Sequence, residues 1–458
     1  VTLELFDSHN HLYFDPADVD RLAVIERARA AFDADLAAVI ERARAAGVVG
    51  MLCVSENAET GRRCLELANA YADIWAAVGL HAHEAKTDSD AHYDEVKALA
   101  NEARVVAIGE IGLDYHYEHS PRDVQRAVFR RYLHLAHELA LPVIVHCRDA
   151  HDDCERILRD ELPGRYRGVI HCYDGTAEQT HPYLELGFYI SFAGPITYKN
   201  AHKTREAAAA VPAERLLIET DAPFLAPQRV RGQRNEPAYV RDVAEKLAEI
   251  KGLTAGDIAR ITTRNARLLF GLEVPKHETI AYKIRDSLYL NVTNRCTNEC
   301  TFCARTREPV VKGHDLRLAH EPSAEEIVAA VGDPSAHSEI IFCGYGEPLI
   351  RLDVVKEVAR MLVERGARRI RINTNGQANL VHGRDVLPEL APFTDEISVS
   401  LNAPNEAEYS RLCRSEYGAK AFEAVKTFVR EATKHVPTVT ATVVAVPGLD
   451  IEACRTLA

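Results

Sequence analysis

What this sequence lacks excludes several classes of protein before any motif is read. No uninterrupted apolar run approaches the roughly 18 residues of a membrane span, and the acidic opening segment has no basic stretch of the kind that begins a secretory signal. No membrane association and a cytoplasmic location are therefore expected. Cysteine is scarce: the 11 residues are an odd number, mostly scattered singly, which argues against a disulfide framework and for a reducing compartment. Only three of them are clustered. A surplus of positive charge is also missing, since 55 Lys and Arg stand against 68 Asp and Glu, for a net charge of −13. Non-specific duplex binding rests on cations in excess along one face, so a nucleic acid or small phosphate-containing substrate has to be held locally, by metals and a few arginines.

What is present points to two folded domains. The chain has 458 residues, too many for one hydrophobic core, and 47% of them are apolar, enough for two. Through residue 272, strand-like apolar runs alternate with Ala-rich helical segments. Eight such runs (3–6, 48–54, 74–78, 105–108, 143–145, 168–170, 188–192 and 216–218) predict an α/β fold, a (β/α)8 TIM barrel. One word, VIERARAA, occurs at 24–31 and again at 39–46; it reads either as low-complexity helix or as a local duplication lengthening the first crossover.

Barrel enzymes work at the carboxyl ends of their strands, and there the polar residues of this segment fall. Asp7-Ser8-His9-Asn10-His11 sets two imidazoles two apart, on one side of an extended strand. Glu110 sits between glycines after the run Val105–Ile108. His146 and His171 each follow directly on an apolar run, and Asp221 closes the set after the eighth. These six are read as metal ligands. Glu110 and Asp221 are in addition the catalytic candidates, because a carboxylate there suits both ligation and acceptance of a proton from an activated water. Nitrogen-rich ligation suits Zn²⁺ or Mn²⁺, with Mg²⁺ compatible with a mixed N/O site. His81 and His83, after the third run, are read as substrate-side, as are Arg148 and the loop residue Arg231.

DSHNHL, VGLHAHEA, AIGEIGLDY, PVIVHCRDA, VIHCYDG and ETDAPFLAP followed by RGQRNEP, in this order, resemble the TatD family of metal-dependent nucleases within the amidohydrolase superfamily. The resemblance covers residues 2–272. It implies a two-metal site, with His9, His11, Glu110 and Asp221 around one divalent ion and Glu110, His146 and His171 around the other, and phosphodiester hydrolysis as the activity. Ala82 stands where the family usually has proline.

A short, charged, proline-broken stretch at 273–282 reads as a linker, leaving 283–458 as a second domain. Cys296, Cys300 and Cys303 form a C-x3-C-x2-C triplet. Structural zinc takes four ligands, whereas three thiolates suit a [4Fe–4S] cube with one iron free; zinc completed by a distant residue such as His314 is the alternative. Gly344-Tyr345-Gly346-Glu347 is a glycine-rich turn whose bared backbone could receive an amino group. This segment resembles the radical S-adenosylmethionine superfamily, and the fusion resembles radical proteins linked to TatD nucleases. The resemblance implies S-adenosyl-L-methionine as cofactor and an external electron donor. It also places Phe302 near the adenine, Gly344, Tyr345, Gly346 and Glu347 at the methionyl amine, and Asn375 and Ser400 toward the ribose. Five strands are expected, so the domain reads as a partial (β/α)5–6 barrel lacking its last strand. The function expected is bifunctional: a two-metal phosphodiesterase of deoxyribonuclease type joined to a radical enzyme on an unknown substrate. The alternatives are an amide or ester hydrolase, or a first barrel that serves as a docking module.

Overall fold

The structure is a computed structural model that describes residues 3–13, 32, 35–162, 164–275, 279–303, 305 and 309–458. The first copy of the repeated word lies outside the described residues. The second lies mostly within the helix Leu36–Ala45, which buries Val39, Ile40 and Ala43 and turns Glu41, Arg42 and Arg44 outward, as helical periodicity dictates. The chain divides into two compact units, Val1–Val274 and Pro275–Ala458.

In the first unit β1 (Leu5–Asn10), β2 (Val48–Val54), β3 (Ile74–Val78), β4 (Val105–Asp114), β5 (Val143–Arg148), β6 (Gly168–Ile170), β7 (Tyr189–Phe192) and β8 (Leu216–Ile218) pair in sequential order. Every pairing is parallel. Strands buried on both faces must be apolar on both, which is why these runs read as continuous rather than alternating. One face packs under the helices; the other, through Phe6, Leu52, Ala77, Ile144 and Leu217, forms a separate core cluster that also takes in Leu269 and Phe270 from the end of the last helix. The seam closes just beyond the ends of β1 and β8: the Asp221 N–H donates to the His9 carbonyl (2.9 Å) and the His11 N–H to the Ala222 carbonyl (2.7 Å). The segments that close the barrel are thus those that carry three of the predicted ligands.

Two strand limits differ from expectation in ways that matter. β1 runs on to Asn10, so His9 lies within it. β4 does not stop at Ile108 but continues to Asp114, ten residues in all. Its register with β5 slips between Ile108 and Ile111, so Glu110 stands at an irregularity inside the strand.

The second unit holds a six-stranded sheet in the order β16-β15-β14-β13-β10-β9. Five strands are mutually parallel: β10 (Ser287–Asn291), β13 (Glu339–Cys343), β14 (Ile370–Thr374), β15 (Glu396–Ser400) and β16 (Thr438–Thr442). The sixth, β9 (Ala281–Ile284), is antiparallel to β10 and was not expected. It begins inside the stretch read as linker, which is accordingly shorter than 273–282. A small hairpin, β11 (Val310–Val311) with β12 (His314–Asp315), lies outside this sheet. The helix Ala324–Val331 starts on the predicted capping box, with the Ser323 and Glu326 side chains reciprocally bonded to backbone N–H groups, an arrangement that satisfies two otherwise orphaned donors.

Candidate metal centre and radical site

Six side chains that lie up to 212 positions apart in sequence meet around Glu110. Its Oε2 lies 3.3 Å from His9 Nε2 and 3.9 Å from His11 Nε2. Its Oε1 lies 2.8 Å from His146 Nδ1 and 2.7 Å from His171 Nε2. Asp221 joins the first group, with Oδ1 at 3.3 Å from His11 Nε2 and 3.7 Å from His9 Nε2. Donor atoms close enough to share one ion occur in the sets His9–Glu110–His171, His9–His11–Asp221 and His81–Glu110–His146. One carboxylate therefore faces two nitrogen groups, one through each oxygen.

The far side of each ring decides which nitrogen is free. His11 Nδ1–H donates to the Val54 carbonyl at 2.8 Å, leaving the Nε2 lone pair aimed at the centre. His146 Nε2–H donates to Asp114 at 3.0 Å, which frees Nδ1. His171 Nδ1–H donates to Glu219 at 3.2 Å, and the Cys172 N–H donates to the same oxygen at 2.6 Å. Carboxylates behind ligand histidines are the usual means of fixing tautomer and orientation. Asp114 and Glu219 are both buried, and sequence reading missed both. Their only signal was a carboxylate just beyond a ligand strand, in GLD and in ETD.

The centre is electrostatically unusual without cations. Burial works to raise the Glu110 carboxyl, but His171, His81 and His9 around it outweigh that and hold it well below the carboxylate range. Burial works against a charge on His11 and His146, yet hydrogen bonds to Asp221 for the one, and to Asp114 and Glu110 for the other, push each up to about 9. These carboxylates are buried anions that recruit protons. Divalent cations satisfy the same demand, since they take neutral imidazole and carboxylate as ligands and displace the protons. The donor set, four imidazoles and two carboxylates converging at bonding range, fits such ions.

His81 belongs to this cluster by distance, with Nε2 3.4 Å from Glu110 Oε1. Its Nδ1, however, accepts the His83 N–H at 3.1 Å, so the proton of a neutral ring sits on Nε2. A donor faces the centre there, which accords with a substrate-side place rather than ligation. His83 is held through Nε2–H on Asp114 at 2.9 Å. Arg148 ends β5 and lies against Tyr117, and Arg231 lies against Tyr198 in the loop after β8.

In the second unit the cysteine triplet follows β10. Cys300 and Cys303 line a cavity of about 560 Å³ together with Asn294, Tyr345 and Arg305. Among the described residues the three sulfurs do not form a set within single-ion distance. Cys413, solitary in sequence, is buried, and its carbonyl accepts the Glu299 N–H of the triplet loop at 3.0 Å. The Thr301 N–H donates to the Leu412 carbonyl at 2.9 Å, so the end of the helix Glu406–Cys413 docks on the triplet loop.

The glycine turn after β13 is packed tightly on this loop. A Cβ at Gly346 would collide with the carbonyls of Arg295 and Thr293, and the Glu347 N–H donates to the Arg295 carbonyl at 2.7 Å. Two side chains of this region bond within the unit itself. The Glu347 carboxylate, expected at the methionyl amine, is buried and accepts from Thr374 Oγ1–H (2.7 Å), the Asn375 N–H (2.6 Å) and the Leu349 N–H (3.1 Å). Asn375, expected at the ribose, donates to Thr297 Oγ1 at 2.8 Å. Asn375 thereby ties the turn's glutamate to the triplet loop. Ser400 ends β15, half-buried, and Phe302 packs on the core of the unit.

A (β/α)8 barrel that gathers histidines and carboxylates around one shared glutamate at its carboxyl mouth defines a metal-dependent hydrolase. Residues 6–271 match the family described as TatD related DNase, and the chain belongs to that family. Residues 290–458 match the Radical SAM superfamily. The chain is 43% identical over 266 residues to the uncharacterized metal-dependent hydrolase YabD of Bacillus subtilis, covering 58% of this chain and 98% of that protein. It is 39% identical over 278 residues to the 3'-5' ssDNA/RNA exonuclease TatD of Klebsiella pneumoniae, covering 59% of this chain and 99% of the relative. Among solved structures, the TatD homolog YJJV of Escherichia coli aligns with a TM-score of 0.54 at 33% identity, over 60% of this chain and all of that one. Metal-dependent hydrolysis and radical chemistry are thus joined in one chain. No helix among the described residues is long and apolar enough to cross a membrane.

Proposed function

We propose that the first unit hydrolyses phosphodiester bonds of single-stranded nucleic acid with two divalent ions, and that the second cleaves S-adenosylmethionine. The observation that carries the first reading is the division of Glu110, Oε2 toward His9, His11 and Asp221 and Oε1 toward His146 and His171. Two divalent ions held there by these residues would supply Lewis acidity to a water nucleophile and to the phosphoryl oxygens. Glu110 holds the two sites in one frame. Asp221, whose carboxyl burial works to raise but the His11 hydrogen bond and the nearby His9, His11 and His171 together hold low, is anionic and placed to take the proton from that water. His81 presents its Nε2–H to the same space and donates to a phosphoryl oxygen. Arg148 and Arg231 hold flanking phosphates. The relative named as a ssDNA/RNA exonuclease supports a polynucleotide substrate over an amide or ester.

In the second unit Cys296, Cys300 and Cys303 would hold a [4Fe–4S] cluster. Such a cluster, reduced by an electron donor, would supply the one electron for reductive cleavage of S-adenosylmethionine. The backbone of Gly344 to Glu347 would receive the amino group of the cofactor.

The test of the hydrolase is the full chain with Mn²⁺ or Mg²⁺ on single-stranded DNA. Wild type is expected to shorten it and Glu110→Gln to lose activity by at least about 100-fold. Full activity in that variant would remove the bridging role.

A further inference from the structure

We propose that two tyrosine–arginine platforms flank the metal mouth, Tyr117 with Arg148 and Tyr198 with Arg231. They bind nucleotides of one single strand on either side of the scissile phosphate and so make the centre prefer a strand to a small diester. The inference rests on the phosphodiesterase reading and adds what that reading leaves open, how a chain of net charge −13 holds a polyanion.

The first platform lies on the loop after β4. Tyr117 is 53% exposed, its ring stacks on His119 at 5.6 Å and 2°, and the Arg148 guanidinium lies 4.8 Å from its centroid. The loop hangs on Asp114, whose Oδ1 accepts the N–H groups of His116 (3.0 Å) and Tyr117 (2.8 Å) while Oδ2 orients His146. One carboxylate therefore fixes both the ring behind the centre and the platform beside it. The carboxylates nearby are spoken for: Asp149 pairs with His116 at 3.1 Å and Glu118 with Arg122.

The second platform joins the loops after β7 and β8. The Arg231 guanidinium lies 4.3 Å from the Tyr198 centroid, and the pair lines a cavity of about 580 Å³ with Lys199 and Asn200. The two loops are bolted together. Tyr198 O–H donates to the Ala226 carbonyl at 3.0 Å, and the Gln228 N–H donates to Thr197 Oγ1 at 2.8 Å. A Cβ on Gly194 would collide with the Leu225 carbonyl. Among the described residues neither Arg148, Lys199 nor Arg231 is ion-paired, so all three are available to phosphates. In the sequential ring of strands β4 and β5 are separated from β7 and β8 by β6 on one side and by β1 to β3 on the other, so the platforms stand on different sides of the mouth. Aromatic faces that accept any base, with guanidinium beside them, suit single strands bound without sequence preference.

The probe is a fluorescein-labelled oligothymidylate of about 12 nucleotides, titrated with the full chain in EDTA so that binding is read without cleavage. Hydrolysis of bis(p-nitrophenyl) phosphate with Mn²⁺ serves as the measure of the centre itself. Tyr117→Ala and Tyr198→Ala are each expected to weaken oligonucleotide binding about tenfold, Tyr117→Trp to retain it, and all three to keep hydrolysis of the small diester within about twofold. Unchanged affinity in both alanine variants, or loss of small-diester hydrolysis in parallel, overturns the platforms. A wild type that hydrolyses the small diester but does not bind the oligonucleotide overturns them alone. A wild type that binds the oligonucleotide through these tyrosines but hydrolyses neither substrate overturns the phosphodiesterase reading and leaves the platforms standing.

Discussion

Asp114 and Glu219 decide the chemistry of the mouth from behind it, because each selects the nitrogen that its histidine presents. Glu219 does so with one oxygen, while the other is buried without a partner, so its charge is spent on His171 and the Cys172 N–H alone. Removing such a partner typically costs about 10- to 100-fold in metal affinity. Glu219→Ala is accordingly expected to raise the Mn²⁺ concentration for half-maximal hydrolysis by about that factor, and Glu219→Gln, which keeps an acceptor, by less; a metal titration of activity reads both. A second buried histidine lies off the centre. His151 faces Cys147 (3.4 Å), Tyr183 (3.0 Å) and Asp174 (3.1 Å). Burial works to lower its pKa, but Asp174 and Cys147 more than offset that and bring it to about 10 from an ordinary 6.5. A folded value above the unfolded one means a stabilising contribution fully present below about pH 6.5 and lost as pH rises through about 10. The gap in urea midpoint between wild type and His151→Gln should therefore be widest near pH 6 and close toward pH 10. A gap independent of pH would reduce His151 to packing.

At the scale of elements, β4 explains both what was legible in the sequence and what was not. Its apolar run and the carboxylate at its end were plain. The glycines, read as the end of the strand, instead let it continue where side chains would collide: a Cβ on Gly109 meets Ile144, and one on Gly112, at φ +142°, meets the His146 carbonyl. Asp114 was overlooked because the strand was taken to end six residues earlier. His9, His11, Glu110, His146, His171 and Asp221 were legible because each follows an apolar run, and parallel strands deliver all such positions to one end. The edge strand β9 was not, since four residues with mixed burial carry almost no periodic signal. The internal hydrogen bonds of the Glu347 and Asn375 side chains were not legible either, since sequence places a residue in a turn but does not say which way it faces. Gly112→Ala is expected to cost about 1–3 kcal/mol from backbone conformation alone, and to lower metal affinity by displacing His146. Gly164→Ala, at φ +65° with open space around it, is the control, with a smaller loss of stability and unchanged metal affinity.

The whole molecule pairs two centres whose donors sort metals by softness. Imidazole and carboxylate in the first unit suit hard to borderline divalent ions, and the thiolates of Cys296, Cys300 and Cys303 suit iron–sulfur clusters. Each unit has its own hydrophobic core and its donors come wholly from within it, so either centre can assemble without residues of the other. Replacing all three cysteines by alanine should thus reduce iron after anaerobic reconstitution from about four per chain to none, while Mn²⁺-dependent hydrolysis of a small phosphodiester stays near wild type. Glu110→Gln should do the reverse, keeping the iron and losing hydrolysis. The cross terms are the informative ones. Iron content and small-diester hydrolysis that fall together in either variant would mean that the centres depend on each other's occupancy. Independence in both would leave a shared substrate, first cut and then modified or the reverse, as the physical reason for one chain to carry both.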